Sequence, residues 1–193
     1  MSTARKLATY DDLYAYPSEV KTEIFDGEIH IQASTLPGHG RAQLALGRFV
    51  GGPFDDDTQG PDGWWILLEM DVRFDAHNVV RPDVVGWRRA RLPEPWDMRP
   101  IDVVPDWICE VLSPSTEKVD RVRKQQLYAR HGVPYYWLVN PAERVLEAYV
   151  LDGAQWRIGG TYDDTALARV PPFDAIELPV GRLFPPLPPP RAD

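Results

Sequence analysis

The chain has 193 residues, 44% hydrophobic and 26% charged, with a net charge of −8. This is the composition of a folded protein and excludes a collagen-like or strongly disordered chain. An acidic total also lacks the overall basic footprint of a nucleic-acid binder, so any phosphate contact must come from local basic stretches such as 81–99 and 118–130.

No apolar run reaches the roughly 18 residues of a spanning helix, and the opening "MSTARKLATYDD" has no apolar signal core. The single cysteine, Cys109, lies in an apolar run where a buried, reduced thiol is expected. A cytoplasmic protein without a membrane partner is expected.

Thr9 ahead of Asp11 and Asp12 predicts a short capped helix stopped by Pro17. "TEIFDGEIHI" predicts a hairpin turning at Asp26-Gly27. Ala42, Ala45, Leu46, Phe49 and Val50 recur at helical spacing, and Gly51-Gly52-Pro53 should end that helix. "WWILLEMDVRF" and "NVVRPDVVGW" read as two strands joined by "DAHN". A Pro- and Arg-rich connection over 88–104 then leads to the strand in "PDWICEVLSPST". Residues 113–132 read as a helix, with Ser115 or Thr116 as N-cap and Gly132 as left-handed terminator. "YYWLVN" is a further strand, followed by a hairpin over about 144–163 through Asp152-Gly153. The proline-rich tail, about 185–193, should be extended or disordered.

With both hairpins set aside, the order is helix, three strands, helix, strand. That predicts an α/β fold, a mixed sheet flanked by helices, in one domain spanning 1–193 with its core at about 38–140.

Familiar sites are missing. There is no G-x-x-x-x-G-K loop, "GHGRAQ" lacks the third small residue of a dinucleotide turn, and a structural zinc site has no cysteine pair to use. Ser115-x-x-Lys118 has none of the companion motifs of a serine acylase.

Carboxylates are the better signal. Asp83 and Glu110 each interrupt a β-branched or apolar run, where a lone charge is costly. If strands 79–87 and 105–112 are neighbours, the two acids should point into one cleft, repel, and suit Mg²⁺, which takes only one or two protein carboxylates. Asp120, Lys124, Leu127 and His131 fall on one helical arc, which can turn Lys124 toward the sheet. Plainer roles stand beside these. Asp83 can fix a strand start, Glu110 can be an arginine's buried partner, Lys124 can be a solvated partner of Asp120, and His39 can be a capping or surface histidine.

Together, "TYDDLYAYPSE…TEIFDGEIH", "VVRPDVVGW" and "PDWICEVLSPSTEKVDRVRKQQLYARHGVPYYWLVNP" resemble the Uma-type family of restriction endonucleases, of the PD-(D/E)xK nuclease superfamily, over roughly 8–185. The resemblance implies a restriction-endonuclease-like core with added N- and C-terminal hairpins. It implies Asp83 and Glu110 as ligands of Mg²⁺ or Mn²⁺ and a DNA substrate. The superfamily's lysine position, two residues after the acid, is Leu112 here. The family-like run Asp120-x-x-x-Lys124-x-x-x-Tyr128 supplies Lys124 instead, with Asp120 and Tyr128 as accessory candidates. Glu23 and His39 also match family positions.

The expected function is therefore Mg²⁺-dependent hydrolysis of DNA phosphodiester bonds, with a homodimer needed to cut both strands. The rival expectations are a nuclease-fold binder or regulator without cleavage, and a homodimeric assembly protein without a nucleic-acid role. Replacing Lys124 by Met is expected to abolish cleavage with little change in melting temperature, and Lys118→Met to affect neither.

Overall fold

Asp26 and Gly27 take positive φ angles of 50° and 77°, joining β1 (Thr22–Phe25) to β2 (Glu28–Ile31) as their turn chemistry dictates. The computed structural model describes residues 6–55 and 63–187. Most of the acidic stretch 54–63 and the end of the proline tail, 188–193, lie outside the described residues. Ahead of β1, Thr9 and Asp12 close a capping box on a short helix, Tyr10–Ala15.

Helix α1 (Pro37–Leu46) does not end at Gly51-Gly52-Pro53. It widens into a π turn over Gly47–Gly51, where the Gly52 N–H bonds the Gly47 carbonyl, and continues as α2 (Gly52–Asp55). The change of register comes just where Pro53 has no N–H to give. Ala42, Ala45, Leu46, Val50 and Phe54 all remain in one core cluster.

The two long strands expected from "WWILLEMDVRF" and "NVVRPDVVGW" are each two strands. Their pieces are β3 (Trp64–Leu68) and β4 (Val72–Asp75), then β5 (Asn78–Val80) and β6 (Val84–Arg88). The first break has Glu69 at φ 53°, and the second has Pro82, which cannot donate to a ladder. Beyond them come β7 (Trp107–Val111), β8 (Tyr135–Asn140), β9 (Val145–Asp152) and β10 (Gln155–Asp163). One sheet runs β10-β9-β8-β7-β6-β3 and another β2-β1-β5-β4. β7 and β8 are parallel and the other neighbours in the larger sheet antiparallel. The C-terminal hairpin thus extends the main sheet. A two-stranded ribbon, β11 (Leu167–Ala168) with β12 (Leu178–Pro179), follows it.

The chain between β7 and β8 is helical. A turn closed by the Ser113 carbonyl leads in, and the Thr116 carbonyl then accepts from Val119 and Asp120 N–H at 2.8 and 3.0 Å, so Thr116, one of the two expected caps, immediately precedes the first helical residue, Glu117. A π turn spans Val119–Lys124, and α3 (Gln125–Arg130) continues to Gly132 at φ 75°.

Alternation along β6, β7 and β8 sends Val84, Trp107, Cys109 and Trp137 to one face, under α1 and α2. Val85, Ile108, Tyr136 and Leu138 go to the other, against Leu127, Tyr128 and the smaller sheet. Gly86 leaves room for this packing, since a Cβ there would meet Ile66, Trp107 and Trp64 atoms at 3.0–3.2 Å. Phe184 is buried at 2% exposure, and Arg144 donates to the Pro185 carbonyl at 2.7 Å, so the tail begins anchored. Among the described residues no helix is long and apolar enough to cross a membrane.

Candidate active site

β6 and β7 pair with Val84 opposite Cys109 and Val85 opposite Ile108. Continuing that register by one residue sets Asp83 directly across from Glu110, on the face shared by Val85 and Ile108. Asp83 sits at the corner where the chain leaves the smaller sheet, and its Oδ2 accepts the Val111 N–H at 2.8 Å. The acid side chain thereby extends the ladder where the strand itself has ended. Both acids are buried, at 3% and 1% exposure.

Lys124 turns toward the sheet. Its Nζ lies 3.0 Å from Glu23 Oε1, 3.1 Å from Glu110 Oε1 and 3.3 Å from Asp120 Oδ1. Three anchors set the helical segment that carries it. Tyr136 OH donates to the Asp120 carbonyl at 3.0 Å, Trp156 Nε1 to the Gln125 carbonyl at 2.8 Å, and Arg121 forks onto Glu147 at 2.8 and 2.9 Å. All three partners lie on β8–β10, so the C-terminal hairpin helps to position Lys124. Tyr128, one turn on, donates to Glu110 Oε1 at 2.7 Å. Lys118, by contrast, is exposed, as is Ser115.

Glu23 reaches the cluster from β1, held by the Arg81 N–H at 2.9 Å and by Gln32 Nε2. His39 is buried at 6% exposure, with Nε2 3.1 Å from Asp83 Oδ1, so it is neither a cap nor a surface residue. Every sequence-predicted site residue therefore falls in one cluster: Asp83, Glu110, Lys124, Glu23, His39, Asp120 and Tyr128. The sequence reading missed Lys21, whose Nζ lies 2.6 Å from Asp83 Oδ1. Its one signal was the alternation that puts residues 21, 23 and 25 on a common face.

Charge in this cluster does not balance. Four carboxylates (Glu23, Asp83, Glu110, Asp120) face two ammonium groups (Lys21, Lys124). Burial pushes Glu110 up to about 8; Lys124 opposes this while Asp83 and Asp120 add to it. Burial likewise raises Asp120, against the pull of Lys124. Burial would also raise Asp83, but Lys21 and then His39 override it and hold Asp83 well below the usual carboxylate range. Lys124 goes up, because its acids outweigh the burial that would lower it. Two neighbouring acids thus separate into one held ionised and one favouring its proton, a division found where carboxylates take different tasks.

Among the described residues no three His, Cys, Asp or Glu side chains converge as a ready metal cage. Mg²⁺ does not need one, since it keeps several waters and takes one or two carboxylates. Asp83 Oδ1 already binds a cation, the Lys21 ammonium, and Glu110 faces it from the next strand. This hard oxygen pair in an acid-rich pocket fits a divalent ion.

Arginines of the 81–99 stretch are engaged elsewhere: Arg81 and Arg99 bind Asp71, Arg89 binds Asp55, and Arg91 binds Asp106. On the helical segment, Arg123 and Arg130 line a groove of about 450 Å³ together with Asp26 and Glu28, where Arg130 meets Asp26 at 3.3 Å and Arg123 lies 2.8 Å from His30 Nε2.

Among solved structures the fold is similar to one described as "a putative nuclease belonging to DUF820 from Anabaena variabilis ATCC 29413". That match has a TM-score of 0.68 and 22% identity over 92% of this chain and 97% of that one. No curated protein matches the chain. A family model described as "Uma2: Putative restriction endonuclease" matches residues 7–181. That span takes in both corner strands, the buried lysine and the hairpin that carries Glu23, and the chain belongs to the Uma2 family.

Proposed function

We propose that the protein is a metal-dependent endonuclease that hydrolyses DNA phosphodiester bonds. The observation that carries this reading is Asp83, at the start of β6, bonded through Oδ2 to the Val111 N–H beside Glu110, with Lys124 buried against Glu110. Asp83 and Glu110 would hold Mg²⁺ or Mn²⁺, which supplies an activated water and offsets charge on the phosphate.

The protein's own groups do the rest. Tyr128 and Lys124 both hold Glu110 Oε1 and leave Oε2 for the ion. The Val111 N–H fixes Asp83 Oδ2. Lys124 keeps a positive charge beside the reacting phosphate, where a preorganised cation stabilises the transition state. Asp120 and Glu23 hold that ammonium in place from two other sides. Arg123 and Arg130 are the basic groups of the groove they line, and a backbone phosphate there would take them from His30 and Asp26. Cutting both strands of a duplex calls for two copies, since each has one such centre.

One observation favours the rival reading of a silent binder: both Asp83 oxygens already have partners, Lys21 and His39 on one and Val111 on the other. Incubating mixed DNA substrates with the wild type and Glu110→Gln, with and without Mg²⁺ or Mn²⁺, separates the two. The nuclease reading expects metal-dependent cleavage by the wild type, none by the variant, and DNA binding by both. Binding without cleavage in every condition would favour the silent binder.

A further inference from the structure

We propose that Lys21 is a resident cation of the site: its ammonium occupies the place at Asp83 that a divalent ion takes, and metal loading must displace it. The proposal rests on the metal-site reading above. Two geometric facts single out Lys21. Its Nζ sits 2.6 Å from Asp83 Oδ1, close enough that a divalent ion on the same oxygen would be repelled by the ammonium. Its side chain is 13% exposed, whereas that of Lys124 is 1% exposed and gripped by three acids. Lys21 therefore stands at the mouth of the cluster and Lys124 at its floor.

The backbone around Lys21 is fixed, and its side chain is the part that would move. The Gln32 N–H donates to the Lys21 carbonyl at 2.9 Å, and β1 just beyond is held through Glu23 by Lys124, Gln32 and the Arg81 N–H. Displacement therefore needs no strand movement. It needs only rotation of a flexible four-carbon stem, which carries the ammonium into water. The other groups facing Asp83 are His39 on Oδ1 and the Val111 N–H on Oδ2, with Gln43 Nε2 on its carbonyl at 3.4 Å. All three can stay while Lys21 departs.

An ion that binds only the Lys21-out form sees its affinity lowered by the fraction of molecules in that form. A minor form populated at about 10% or less makes the deficit at least about tenfold. In solution, Mn²⁺ binding is read by calorimetry and by the thermal shift it produces. Lys21→Met is expected to bind Mn²⁺ at least about tenfold more tightly than the wild type, Lys21→Arg no more tightly, and Asp83→Asn not at all.

Equal or weaker binding by Lys21→Met, with wild-type binding intact, overturns the proposal and leaves the metal site standing. Absence of binding by both, or unimpaired binding by Asp83→Asn, overturns the metal-site reading and this proposal with it. Should Lys21→Met not fold, the wild type alone decides. Reductive methylation with formaldehyde and cyanoborohydride, read by peptide mass spectrometry, should label Lys21 several-fold faster at saturating Mn²⁺, with exposed Lys6 unchanged. An unchanged Lys21 rate overturns the proposal.

Discussion

The two corners where the chain crosses between sheets each bury an aspartate, and the two are treated in opposite ways. Asp71 accepts from Arg81 at 2.6 Å, Tyr10 at 2.9 Å and Arg99 at 3.2 Å, so one carboxylate meets two guanidinium groups and a hydroxyl. Burial would raise it, and Arg81, then Tyr10 and Arg99, hold it below the usual carboxylate range. Tyr10 is pushed up to about 12 by burial and by Asp71. At the Asp83 corner, acids outnumber ammonium groups two to one. A surplus of cations makes a clamp. A deficit makes a cluster that would gain from an incoming cation, and it is there that the proposed site lies.

The contrast breaks most sharply at Lys124. Lys124→Met should abolish measurable cleavage and also cost about 3–5 kcal/mol of stability, the usual result of stripping one partner from a buried ionic group. The expectation of an unchanged melting temperature treated Lys124 as a group that acts on the transition state alone, and 1% exposure among three acids revises it. Urea melts beside cleavage assays test both halves, and an unaltered midpoint would mean the acids take up protons freely in its absence.

Glu110→Gln should reduce cleavage about a hundredfold or more, because charge stabilisation by a bound metal is worth several kcal/mol. Its stability at pH 7 should change by no more than about 1 kcal/mol, as an amide resembles the protonated acid that burial already favours. Melting curves at that pH check the second half.

At the clamp, Arg81→Met should lower stability by about 3 kcal/mol and leave cleavage per folded molecule unchanged. Lost turnover in the folded fraction would show that the two corners are coupled. The pH dependence follows from Asp71. Its folded pKa lies below its unfolded one, so its contribution is complete above about pH 4 and is lost as pH falls through the folded value. Arg81→Met should flatten that acid-side loss, measured as the denaturation midpoint from pH 5 downward.

The smallest effects belong to the groove. Arg123→Gln and Arg130→Gln should each reduce the salt slope of DNA binding by about one and shift stability by under about 0.5 kcal/mol. A slope equal to the wild type's would place the DNA elsewhere.

What could be read in advance followed from contrast along the chain. Asp83 and Glu110 stood out because an acid in an apolar run needs a partner, and Lys124 because its arc also carries Leu127. Lys21 did not stand out, lying between Val20 and Thr22 ahead of a strand whose partner across the sheets no local pattern reveals. The two corners were hidden for a related reason. Residues on both sides of Pro82 are β-prone, and the left-handed backbone at Glu69 has no glycine to announce it. His39 matched a family position, yet its residues alone allowed a capping or surface role, because its partner Asp83 lies 44 positions along the chain.

Residues 81–83 lie outside both ladders, and this decouples how the two sheets respond to changes in chain length. An extra residue at the Ala76-His77 tip would disturb the smaller sheet, both in the β4–β5 ribbon, where a bulge already shifts the register between Arg73 and Asp75, and at His77, whose carbonyl accepts the Gly27 N–H at 2.9 Å and whose Nδ1 lies 2.9 Å from the Ala8 carbonyl. A single deletion at 81–83 would instead put proline where the aspartate now stands, if Asp83 is lost, or turn Val84, Gly86 and Arg88 onto the face that Val85 and Trp87 fill, if the smaller sheet keeps its register. A change of length should therefore strain the smaller sheet at the tip and the acid pair at the corner, a few residues apart.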